Sequence, residues 1–511
     1  MCMPRQLRDS SLLRNQAFSH GKWIEARSNA RFEVEDPGTG KPFISVPDLA
    51  VEDVDSIVES SQEAFEAYRS VNPRTRAELL LSWHNLIRAN RDDIATILTY
   101  ETGKPLAEAY GEIDYATGFT WWFAGEAERI RGDLSVPSAP NRRVITIKQP
   151  IGVCVALVPW NFPIAMILRK VGAALAAGCT IIAKPSPETP LTTLTLAHLA
   201  QKAGFAPGVF NVITTSNENT PSLSEAMCKH PMVQKVSFTG STAVGSIIAT
   251  HCAKGLKKVS LELGGNCPFI IFADADLDVA LAQLTALKWR HAGQACVSAN
   301  RIYVQEDVYE DFLARLVEHT SRIRVGHGAR HGVTMGPLTT PRGVEKARRQ
   351  VEDALQRGAH LALGGNVLTS TGDDVSERAG DSEKVAGGGY FFQPTILRDM
   401  NSSMAITREE SFAPIAAVYR FQTEEEVVRL ANDTEMGLAS YVFTRDINRS
   451  WRMLERLEAG MIGLNTGNSS AAESPFGGIK MSGYGKESGK DVAVAEYLVS
   501  KTCTLTLEGN I

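Results

Sequence analysis

Long apolar runs and a surplus of basic residues are both missing from this chain. The longest uninterrupted apolar run, residues 151–158, is far shorter than the ~20 residues that span a bilayer, and no apolar segment near Met1 resembles a signal peptide. Lysine and arginine number 53 against 58 acidic residues, a net charge of −5, which leaves no basic footprint for nucleic acid. We therefore expect no membrane and no nucleic-acid partner, and expect small-molecule partners instead.

Cysteine is also scarce and unpatterned. The 511 residues contain 8 cysteines, with no CxxC pair and no disulfide-like spacing. They indicate reduced thiols in a reducing compartment, most of them small buried hydrophobes. Roughly one or none should be chemically active.

What the chain does have is enough apolar material for a folded multidomain protein. Hydrophobic residues make up 43% and charged residues 22%, the ordinary globular balance, which excludes a disordered or collagen-like chain. At roughly 150 residues per domain, the length suffices for at least two hydrophobic cores.

Two consecutive series of short β-branched runs and helical patterns predict an α/β fold with two open sheet domains. The first series has strand-like runs at 144–148, 151–158, 180–184, 209–213, 235–238, 258–263 and 268–272, with helices at 166–177, 191–203 and 243–253. The second has strands at 301–305, 360–363, 415–420, 441–444 and 461–465, with helices at 308–323, 344–356, from Glu424 and from Asn448. We place the boundary near the glycine pair 264–265.

Three further segments complete the organisation. A mostly helical stretch, residues 54–128, is broken at Pro73 and Gly103 and is predicted to cover one face of the first sheet. Residues 366–389 are polar and glycine-rich and predict a long exposed loop. Thr423 and Glu426 form a predicted capping box.

Two strand-to-helix junctions are candidate nucleotide sites. In residues 235–245 a strand is followed by Gly240, small hydroxyl residues and Gly245, a junction that aims backbone N–H groups at a phosphate; the spacing lacks the usual three-glycine fingerprint, so a plain tight turn stays open. Lys184 ends another strand before a proline-rich turn, where open α/β sheets bind ligands. A solvated loop lysine is the alternative.

Three residues suggest acyl-transfer chemistry. Cys296 stands between a glycine turn and a strand, where a thiol can be activated, although an inert buried thiol is the commoner case. Glu262 is a carboxylate in an apolar strand, which suits a general base; a glutamate on the solvent side of an edge strand is the alternative. Asn161, held between aromatics, is a candidate oxyanion donor or merely a helix cap.

Six motifs together resemble the aldehyde dehydrogenase superfamily in order and spacing. They are PWNFP (159–163), FTGSTAVG (238–245), LELGG (261–265), GQAC (293–296), EESFAP (409–414) and SPFGGIKMSG (474–483). The resemblance implies a Rossmann-like NAD(P)-binding domain (1–131 and 148–264), a catalytic domain (265–480) and a small β bridging or oligomerisation element (132–147 and 481–511). It also implies a homo-oligomer, a dimer or a tetramer.

The resemblance assigns roles to the candidate residues. Cys296 is implied to attack an aldehyde, Asn161 to hold the oxyanion of the thiohemiacetal, and Glu262 to activate the water that hydrolyses the thioester, with no metal. The residues implied to bind NAD or NADP are Trp160, Lys184, Ser186, Gly240, Ser241, Gly245, Glu410 and Phe412.

Within the superfamily the chain looks most like the succinate-semialdehyde dehydrogenases, which implies oxidation of succinate semialdehyde to succinate, as in 4-aminobutyrate degradation. Arg169, Arg290 and Ser470 match the positions that bind the distal carboxylate in that group. Because the resemblance begins at about residue 7, we expect no mitochondrial presequence and a cytoplasmic location. The alternatives are a dehydrogenase for another aromatic or aliphatic aldehyde, a coenzyme-A-acylating relative, and a catalytically silent protein of this fold.

Four departures from the pattern limit these expectations. Ser298 stands where many relatives have a second cysteine, so no local disulfide switch is expected. Pro187 replaces the ribose-binding glutamate of NAD-selective relatives, with Glu188 displaced by one, so both NAD and NADP are expected cofactors. Ala413 replaces a glycine, and residues 468–473 differ near the substrate entrance, which leaves the exact aldehyde open.

Overall fold

The computed structural model describes residue 3 and residues 5–368 and 388–508. Its strands are β1 (Ala17–Ser19), β2 (Lys22–Ile24), β3 (Arg31–Asp36), β4 (Lys41–Pro47), β5 (Asp133–Ser135), β6 (Arg142–Pro150), β7 (Val153–Leu157), β8 (Thr180–Lys184), β9 (Phe210–Val212), β10 (Val233–Thr239), β11 (Lys258–Glu262), β12 (Cys267–Ile271), β13 (Ala299–Gln305), β14 (His360–Leu363), β15 (Val367–Leu368), β16 (Phe391–Phe392), β17 (Thr395–Arg398), β18 (Ile415–Phe421), β19 (Met436–Gly437), β20 (Ala439–Phe443), β21 (Met461–Leu464), β22 (Ile479–Lys480), β23 (Gly483–Tyr484) and β24 (Leu498–Thr506).

The helices alternate with these strands. They are α1 (Val51–Tyr68), α2 (Pro73–Ala89), α3 (Arg91–Thr102), α4 (Leu106–Ala127), α5 (Pro163–Ala177), α6 (Pro190–Ala203), α7 (Thr220–Lys229), α8 (Thr242–Ala253), α9 (Leu277–Lys288), α10 (Tyr309–Thr320), α11 (Pro341–Gln356), α12 (Ala405–Arg408), α13 (Glu424–Asn432), α14 (Ile447–Arg456) and α15 (Val492–Ala495). Short 3-10 turns lie at Ser10–Leu12, Arg290–Gly293 and Glu306–Val308.

The first large sheet has the strand order β2-β1-β9-β8-β7-β10-β11-β23. Its five central strands run parallel, while β1 and β23 join the edges antiparallel. Strands β7 and β8 are buried along their whole length, as expected for parallel strands covered by helices on both faces. The carboxyl ends of β7, β8, β10 and β11 therefore lie along one edge of this sheet.

The second large sheet has the order β14-β17-β18-β13-β12-β20-β21. All of its pairings are parallel except that of β14 with β17. Strand β11 of the first sheet ends at Glu262 and β12 of the second begins at Cys267, so the predicted glycine pair, residues 264–265, lies between the two sheets.

A third, three-stranded antiparallel sheet has the order β24-β6-β5. Strand β24 pairs along its full length with β6, from Leu498 opposite Pro150 to Thr506 opposite Arg142. The run at 144–148, expected in the first parallel series, belongs to this sheet instead, because its hydrogen-bonding partner comes from the far end of the chain.

The predicted helical stretch forms α1 to α4, and α1 packs on β7 and β8, which confirms that it covers a face of the first sheet. An additional break falls at Asn90, the residue between α2 and α3. At the predicted capping box the Thr423 hydroxyl accepts from the Glu426 N–H at 3.2 Å, whereas the Glu426 carboxylate accepts from the Gln422 N–H.

The sequence analysis was wrong or silent at several other elements. Strands β1 to β4 and helix α7 were not predicted, and the run at 268–272 begins the second sheet rather than ending the first. The predicted 366–389 loop falls mostly on residues 369–387, which lie outside the described residues. At its ends, however, β15 pairs with β16, so 367–368 are strand.

Candidate active site

Cys296 follows an unusual turn and precedes β13. His291, Ala292 and Gly293 have consecutive positive φ values of 49°, 52° and 76°, and a Cβ on Gly293 would lie 2.2 Å from the Ala413 carbonyl oxygen, so this position requires glycine. The turn leaves the Cys296 thiol half-buried at a cavity wall. Burial, followed by the charge of Glu262, raises the pKa of the Cys296 thiol well above its ordinary value, so the resting thiol is protonated.

Glu262 is the last residue of β11, at the edge of the first sheet where the carboxyl ends of its parallel strands lie. It is 1% exposed, and neither carboxylate oxygen has a hydrogen-bond partner among the described residues. Burial, reinforced by the charge of Glu487, raises the pKa of Glu262 to about 7. The alternative of a solvent-facing glutamate on an edge strand is therefore wrong, since β23 pairs over this edge at Gly483.

Asn161 lies in the turn between β7 and α5. Its Nδ2 donates to the Gln294 carbonyl, two residues before Cys296, at 3.0 Å, and its buried Oδ1 has no hydrogen-bond partner among the described residues. It does not cap α5, because the first N–H groups of that helix donate to Glu112. The helix-cap alternative is therefore wrong, and the side chain reaches the Cys296 turn.

Buried charged side chains lie near Cys296 and Glu262. Two of them, Lys170 and Glu487, were not predicted from the sequence. Glu487 accepts from the Lys170 ammonium and lies 3.7 Å from Arg169 Nη1. Although burial alone raises it, these two cations hold the pKa of Glu487 below its ordinary value. The ionised Glu487 in turn repels charge on Glu262.

The thiol opens into a cavity of about 400 Å³. Its walls include aromatic rings, two arginines and three consecutive turns of α4. Lining residues used below are Glu108, Tyr115, Phe162, Arg169, Arg290, Cys296, Ser470 and Phe476. The structure therefore brings the proposed nucleophile and all three predicted substrate residues around one space.

The two arginines occupy different environments. Arg169 on α5 is 2% exposed; its guanidinium lies 3.9 Å from the Phe476 ring centre, and its Nε and Nη1 have no hydrogen-bond partner among the described residues. Arg290 is exposed and lies 5.2 Å from the Phe162 ring centre. The buried guanidinium of Arg169 is fixed by aromatic rings and by Glu487, whereas that of Arg290 faces solvent.

A carboxylate that the sequence analysis did not single out also lines the cavity. Glu108 accepts from the His291 N–H at 2.8 Å, and burial raises the pKa of Glu108 to about 7 against that bond and the charges of Lys104 and Arg290. Glu108, Glu112 and Tyr115 are spaced three to four residues apart on α4, so one helix face carries all three. That spacing of polar residues was the signal available in the sequence.

Lys184 and Ser186 lie at the carboxyl end of β8. Lys184 is 4% exposed, which makes the solvated-lysine alternative wrong, and burial lowers the pKa of its ammonium to about 8. The Ser186 hydroxyl donates to the Glu188 carboxylate, and Asn217 Nδ2 donates to the same carboxylate at 3.2 Å. A carboxylate thus stands directly at the predicted ribose-binding turn.

Gly240, Ser241 and Gly245 form the junction from β10 to α8. The exposed Ser241 caps α8, its hydroxyl accepting from the Val244 N–H at 3.4 Å. A Cβ on Gly245 would lie 2.4 Å from Leu263 Cδ2, so glycine allows α8 to pack closely on the end of β11. The helix N-terminus presents free N–H groups and the positive end of its dipole, a suitable site for a phosphate.

Trp160, Glu410 and Phe412 stand together beyond this junction. The rings of Trp160 and Phe412 meet edge to face at 5.5 Å, and Glu410 accepts from the Gly265 N–H at 3.0 Å. Burial raises the pKa of Glu410 to about 7, against that bond and the charge of Lys346. Lys346 on α11 is a neighbouring cation that the sequence analysis missed.

Neither a metal-binding cluster nor a membrane-spanning helix is present in the described part of the chain. No group of three or more His, Cys, Asp or Glu side chains is arranged to hold a metal ion. No helix there is long and apolar enough to cross a bilayer.

Comparison with known proteins decides the family. The model of the aldehyde dehydrogenase family matches residues 23–503. The chain belongs to the aldehyde dehydrogenase family. As an aldehyde dehydrogenase it has the two open α/β sheets and the small β element that its motifs predicted, which confirms the expected fold class.

The names of three similar aldehyde dehydrogenases specify their aldehydes. The chain is 45% identical over 491 residues to "Succinate-semialdehyde dehydrogenase [NADP(+)] 1" of Schizosaccharomyces pombe, covering 96% of this chain and 95% of that one. It is 44% identical to "3-sulfolactaldehyde dehydrogenase" of Pseudomonas putida, covering 97% and 98%. The solved succinate-semialdehyde dehydrogenase from Burkholderia pseudomallei superposes with a TM-score of 0.93 at 44% identity, covering 98% and 100%.

Proposed function

We propose that the protein oxidises an aldehyde with an anionic far end to the corresponding acid, and that succinate semialdehyde is its substrate. One observation carries the proposal: the Cys296 thiol and the guanidinium groups of Arg169 and Arg290 line the same cavity. A desolvated carboxylate must be paired with a cation. The buried Arg169 supplies a cation at the cavity wall, and its Nε has no hydrogen-bond partner among the described residues.

The reaction begins at the thiol. Since burial and Glu262 keep the Cys296 thiol protonated at rest, the proton must leave as sulfur attacks the aldehyde carbon. Glu262, with its pKa at about 7, is basic enough to take it near neutral pH. The product is a thiohemiacetal on Cys296.

The oxyanion of that thiohemiacetal must be stabilised by hydrogen-bond donors. Asn161 Nδ2 carries two protons and spends one on the Gln294 carbonyl, which leaves the second for the oxyanion, beside the Cys296 N–H. Collapse of the oxyanion releases a hydride and forms a thioester on Cys296. When bound, the nicotinamide cofactor accepts that hydride.

Glu262 then completes the turnover. Once the proton taken from the thiol has passed to solvent, the ionised carboxylate removes a proton from a water molecule that attacks the thioester carbon. The carboxylic acid leaves as the Cys296 sulfur departs, and the sulfur takes that proton to return to the resting thiol. A base at this position favours water as the acceptor and speaks against both a coenzyme-A-acylating enzyme and a silent protein.

The residues of the sheet edge fit a dinucleotide. The N-terminus of α8 offers N–H groups to the pyrophosphate, Lys184 and Ser186 lie at the neighbouring strand end, and Glu410 offers a carboxylate to a ribose hydroxyl. We infer that either NAD or NADP is bound. The name of the Schizosaccharomyces pombe relative specifies NADP, whereas the Glu188 carboxylate against Ser186 works against a 2′-phosphate.

A substrate panel tests the proposal at a fixed, saturating cofactor concentration. We expect kcat/KM to be highest for succinate semialdehyde and lower for hexanal and benzaldehyde, and Cys296→Ala to abolish oxidation of all three. Arg290→Ala should raise KM for succinate semialdehyde roughly tenfold or more, because a charged hydrogen bond is worth about 1.5–3 kcal/mol, and should leave KM for hexanal nearly unchanged.

Arg322→Ala is the matched control, since it removes an exposed arginine that pairs with Glu318 and does not line the cavity. Equal effects of Arg290→Ala on the acidic and the neutral aldehyde would sink the carboxylate assignment. A higher kcat/KM for benzaldehyde or hexanal would favour the alternative of an aromatic or aliphatic aldehyde.

We also propose the division of the chain predicted from its motifs, namely 1–131 with 148–264, 265–480, and 132–147 with 481–511. The membership of β7 to β11 in one sheet, and of β12, β13, β14, β17, β18, β20 and β21 in another, supports it. A homo-oligomer and a cytoplasmic location belong to the same proposal, and cell fractionation tests the latter.

A further inference from the structure

Tyr115 has contacts in the cavity that the proposed mechanism does not use. It lies on α4 and lines the cavity beside Arg169 and Ser470. Arg169 donates from Nη2 to the Tyr115 hydroxyl oxygen at 3.0 Å, and the Tyr115 and Ser470 hydroxyl groups are hydrogen-bonded to each other. The three side chains therefore form one continuous chain of hydrogen bonds.

The direction of these bonds follows from donor chemistry. A guanidinium only donates, so the Tyr115 oxygen accepts from Arg169. The geometry of the second bond allows either hydroxyl to donate. Because the phenol is the more acidic of the two and its oxygen already accepts from Arg169, we assign the donated proton to Tyr115. The Ser470 proton then has no acceptor among the described hydrogen bonds and is free to face the cavity.

Packing against aromatic rings holds these hydrogen-bonded side chains in place. The Tyr115 ring meets Phe119 edge to face at 5.1 Å, and the Arg169 guanidinium lies between Phe119 and Phe476, at 5.2 and 3.9 Å from their ring centres. Because Arg169 cannot turn away from these rings without losing them, it keeps its donor on the tyrosine. Its Nη1 faces Glu487 at 3.7 Å, which further fixes the guanidinium.

We propose that Tyr115 is a positioning residue that directs the Ser470 proton into the cavity, so that the site accepts aldehydes whose far end is an anionic acceptor. Carboxylate and sulfonate ends both accept from such donors. An ammonium end offers no acceptor to Ser470 and meets the charge of Arg169, so aldehydes of that class are rejected. This inference rests on the proposed function.

A double-mutant cycle tests this chain of hydrogen bonds, with steady-state kinetics measured on succinate semialdehyde and hexanal. Tyr115→Phe and Ser470→Ala should each lower kcat/KM for succinate semialdehyde roughly tenfold, through KM rather than kcat, and change hexanal oxidation by less than about twofold. The double variant should be no worse than Ser470→Ala alone, because Tyr115 acts through Ser470.

Tyr110→Phe is the matched control. It removes a tyrosine hydroxyl from the same helix, one that donates to Asp92 at 3.2 Å rather than into the cavity, and it should leave both substrates unaffected. Should Tyr115→Phe be impaired on hexanal as well, Tyr115→His carries the test. It keeps a donor and an acceptor at this position and must retain the preference for the acidic aldehyde.

Three results would overturn the inference while leaving the proposed function intact: additive losses in the double variant, a larger loss in Tyr115→Phe than in Ser470→Ala, or a Tyr115→Phe enzyme with unchanged KM. Failure of the proposed function is seen separately, in the wild type. If the wild-type enzyme oxidises hexanal and succinate semialdehyde equally well, both the function and this role of Tyr115 are refuted.

Discussion

Buried charges set the state of each reacting residue around Cys296. Glu487 remains ionised because Lys170 and Arg169 face it, whereas Glu262 has no hydrogen-bond partner among the described residues and its pKa rises to about 7. Two buried carboxylates with different pKa values can hold different protonation states at one pH. In this site Glu262, which has no dedicated cation, is the carboxylate suited to exchange protons with the thiol and with water.

Replacing Glu262 by glutamine should separate the two halves of the reaction. Because the water step needs the carboxylate and the thiol also loses its base, we expect Glu262→Gln to release about one reduced cofactor per active site more slowly than wild type and then to show almost no turnover. The wild-type kcat should rise with pH through about 7, as Glu262 loses its proton, and the variant should lack this rise. Stopped-flow absorbance of the reduced cofactor measures both, and steady turnover by the variant would contradict the assignment.

The same residue should also make stability depend on pH. The native carboxyl, with a pKa of about 7 against 4.5 in the unfolded chain, binds more protons than the unfolded one between these values. The free energy of unfolding therefore falls as pH rises through this window and stays lower above it. Urea unfolding at pH 5 and pH 8 should show a larger fall for wild type than for Glu262→Gln, and parallel falls would argue against a perturbed Glu262.

Cofactor preference should depend on Glu188. Its carboxylate is held at the predicted ribose site by Ser186 and Asn217, where a negative charge repels a 2′-phosphate. We expect Glu188→Gln to raise the ratio of kcat/KM with NADP to kcat/KM with NAD by about tenfold or more. Asn217→Ala keeps the charge and is the control, so an equal change in both variants would exclude a direct effect of the carboxylate.

Single residues with unusual chemistry could be predicted from the sequence, whereas their partners could not. Cys296, Glu262 and Lys184 stand at recognisable places, the ends of apolar strands. Tyr115 and Glu487 are equally important to the cavity, yet they come from α4 and from a segment near the C-terminus, about 50 and 320 residues from Arg169 in sequence. Only the tertiary packing of these segments brings such distant side chains together.

At the scale of elements, regular alternation was predictable and short pieces were not. The buried runs that became β8 and β18 have strong β-branched patterns bounded by turn residues, as parallel strands should. Strands β3 and β4 form a separate two-stranded sheet, and in β3 the apolar residues alternate with exposed charged ones, so β3 has no apolar run. Helix α7 is short and only partly buried, which gives a weak periodic signal.

The close packing of α8 on the end of β11 leads to a prediction. Gly245→Ala would place a methyl group 2.4 Å from Leu263 Cδ2, so the helix or the leucine must shift. Overpacking of this kind costs about 1–3 kcal/mol and moves the N–H groups that face the pyrophosphate. We expect a lower Tm and a higher KM for the cofactor, measured by thermal unfolding and steady-state kinetics.

Gly343→Ala is the matched control for that change. Gly343 lies in the first turn of α11 and a Cβ there meets Leu338 at an ordinary 3.7 Å, so alanine should be neutral or stabilise the helix by up to about 1 kcal/mol. If Gly245→Ala behaves like Gly343→Ala, the close approach of α8 to Leu263 is not what the glycine provides.

At the scale of the whole molecule, the three-stranded sheet has an apolar face. The pairings of β5, β6 and β24 put Leu134 opposite Ile145, which lies opposite Cys503, and alternation along each strand adds Ile147 and Leu505 to the same face. Lys501, opposite Ile147, and Arg143, opposite Leu505, lie on this face too. Leu134 is 65% exposed and both Ile147 and Leu505 are 45% exposed. The opposite face carries threonines and serines, so one side of this sheet is suited to bind a second copy of the chain.

The predicted homo-oligomer should therefore depend on that face. Leu134→Glu with Leu505→Glu places two buried charges in the expected interface, a costly change, and should reduce the molar mass measured by sedimentation velocity. Thr502→Glu with Thr504→Glu adds the same charges to the opposite face of β24 and serves as the control. An unchanged mass in the first pair, or equal dissociation in both, would place the interface elsewhere, because only one face of this sheet is apolar enough to exclude water between copies.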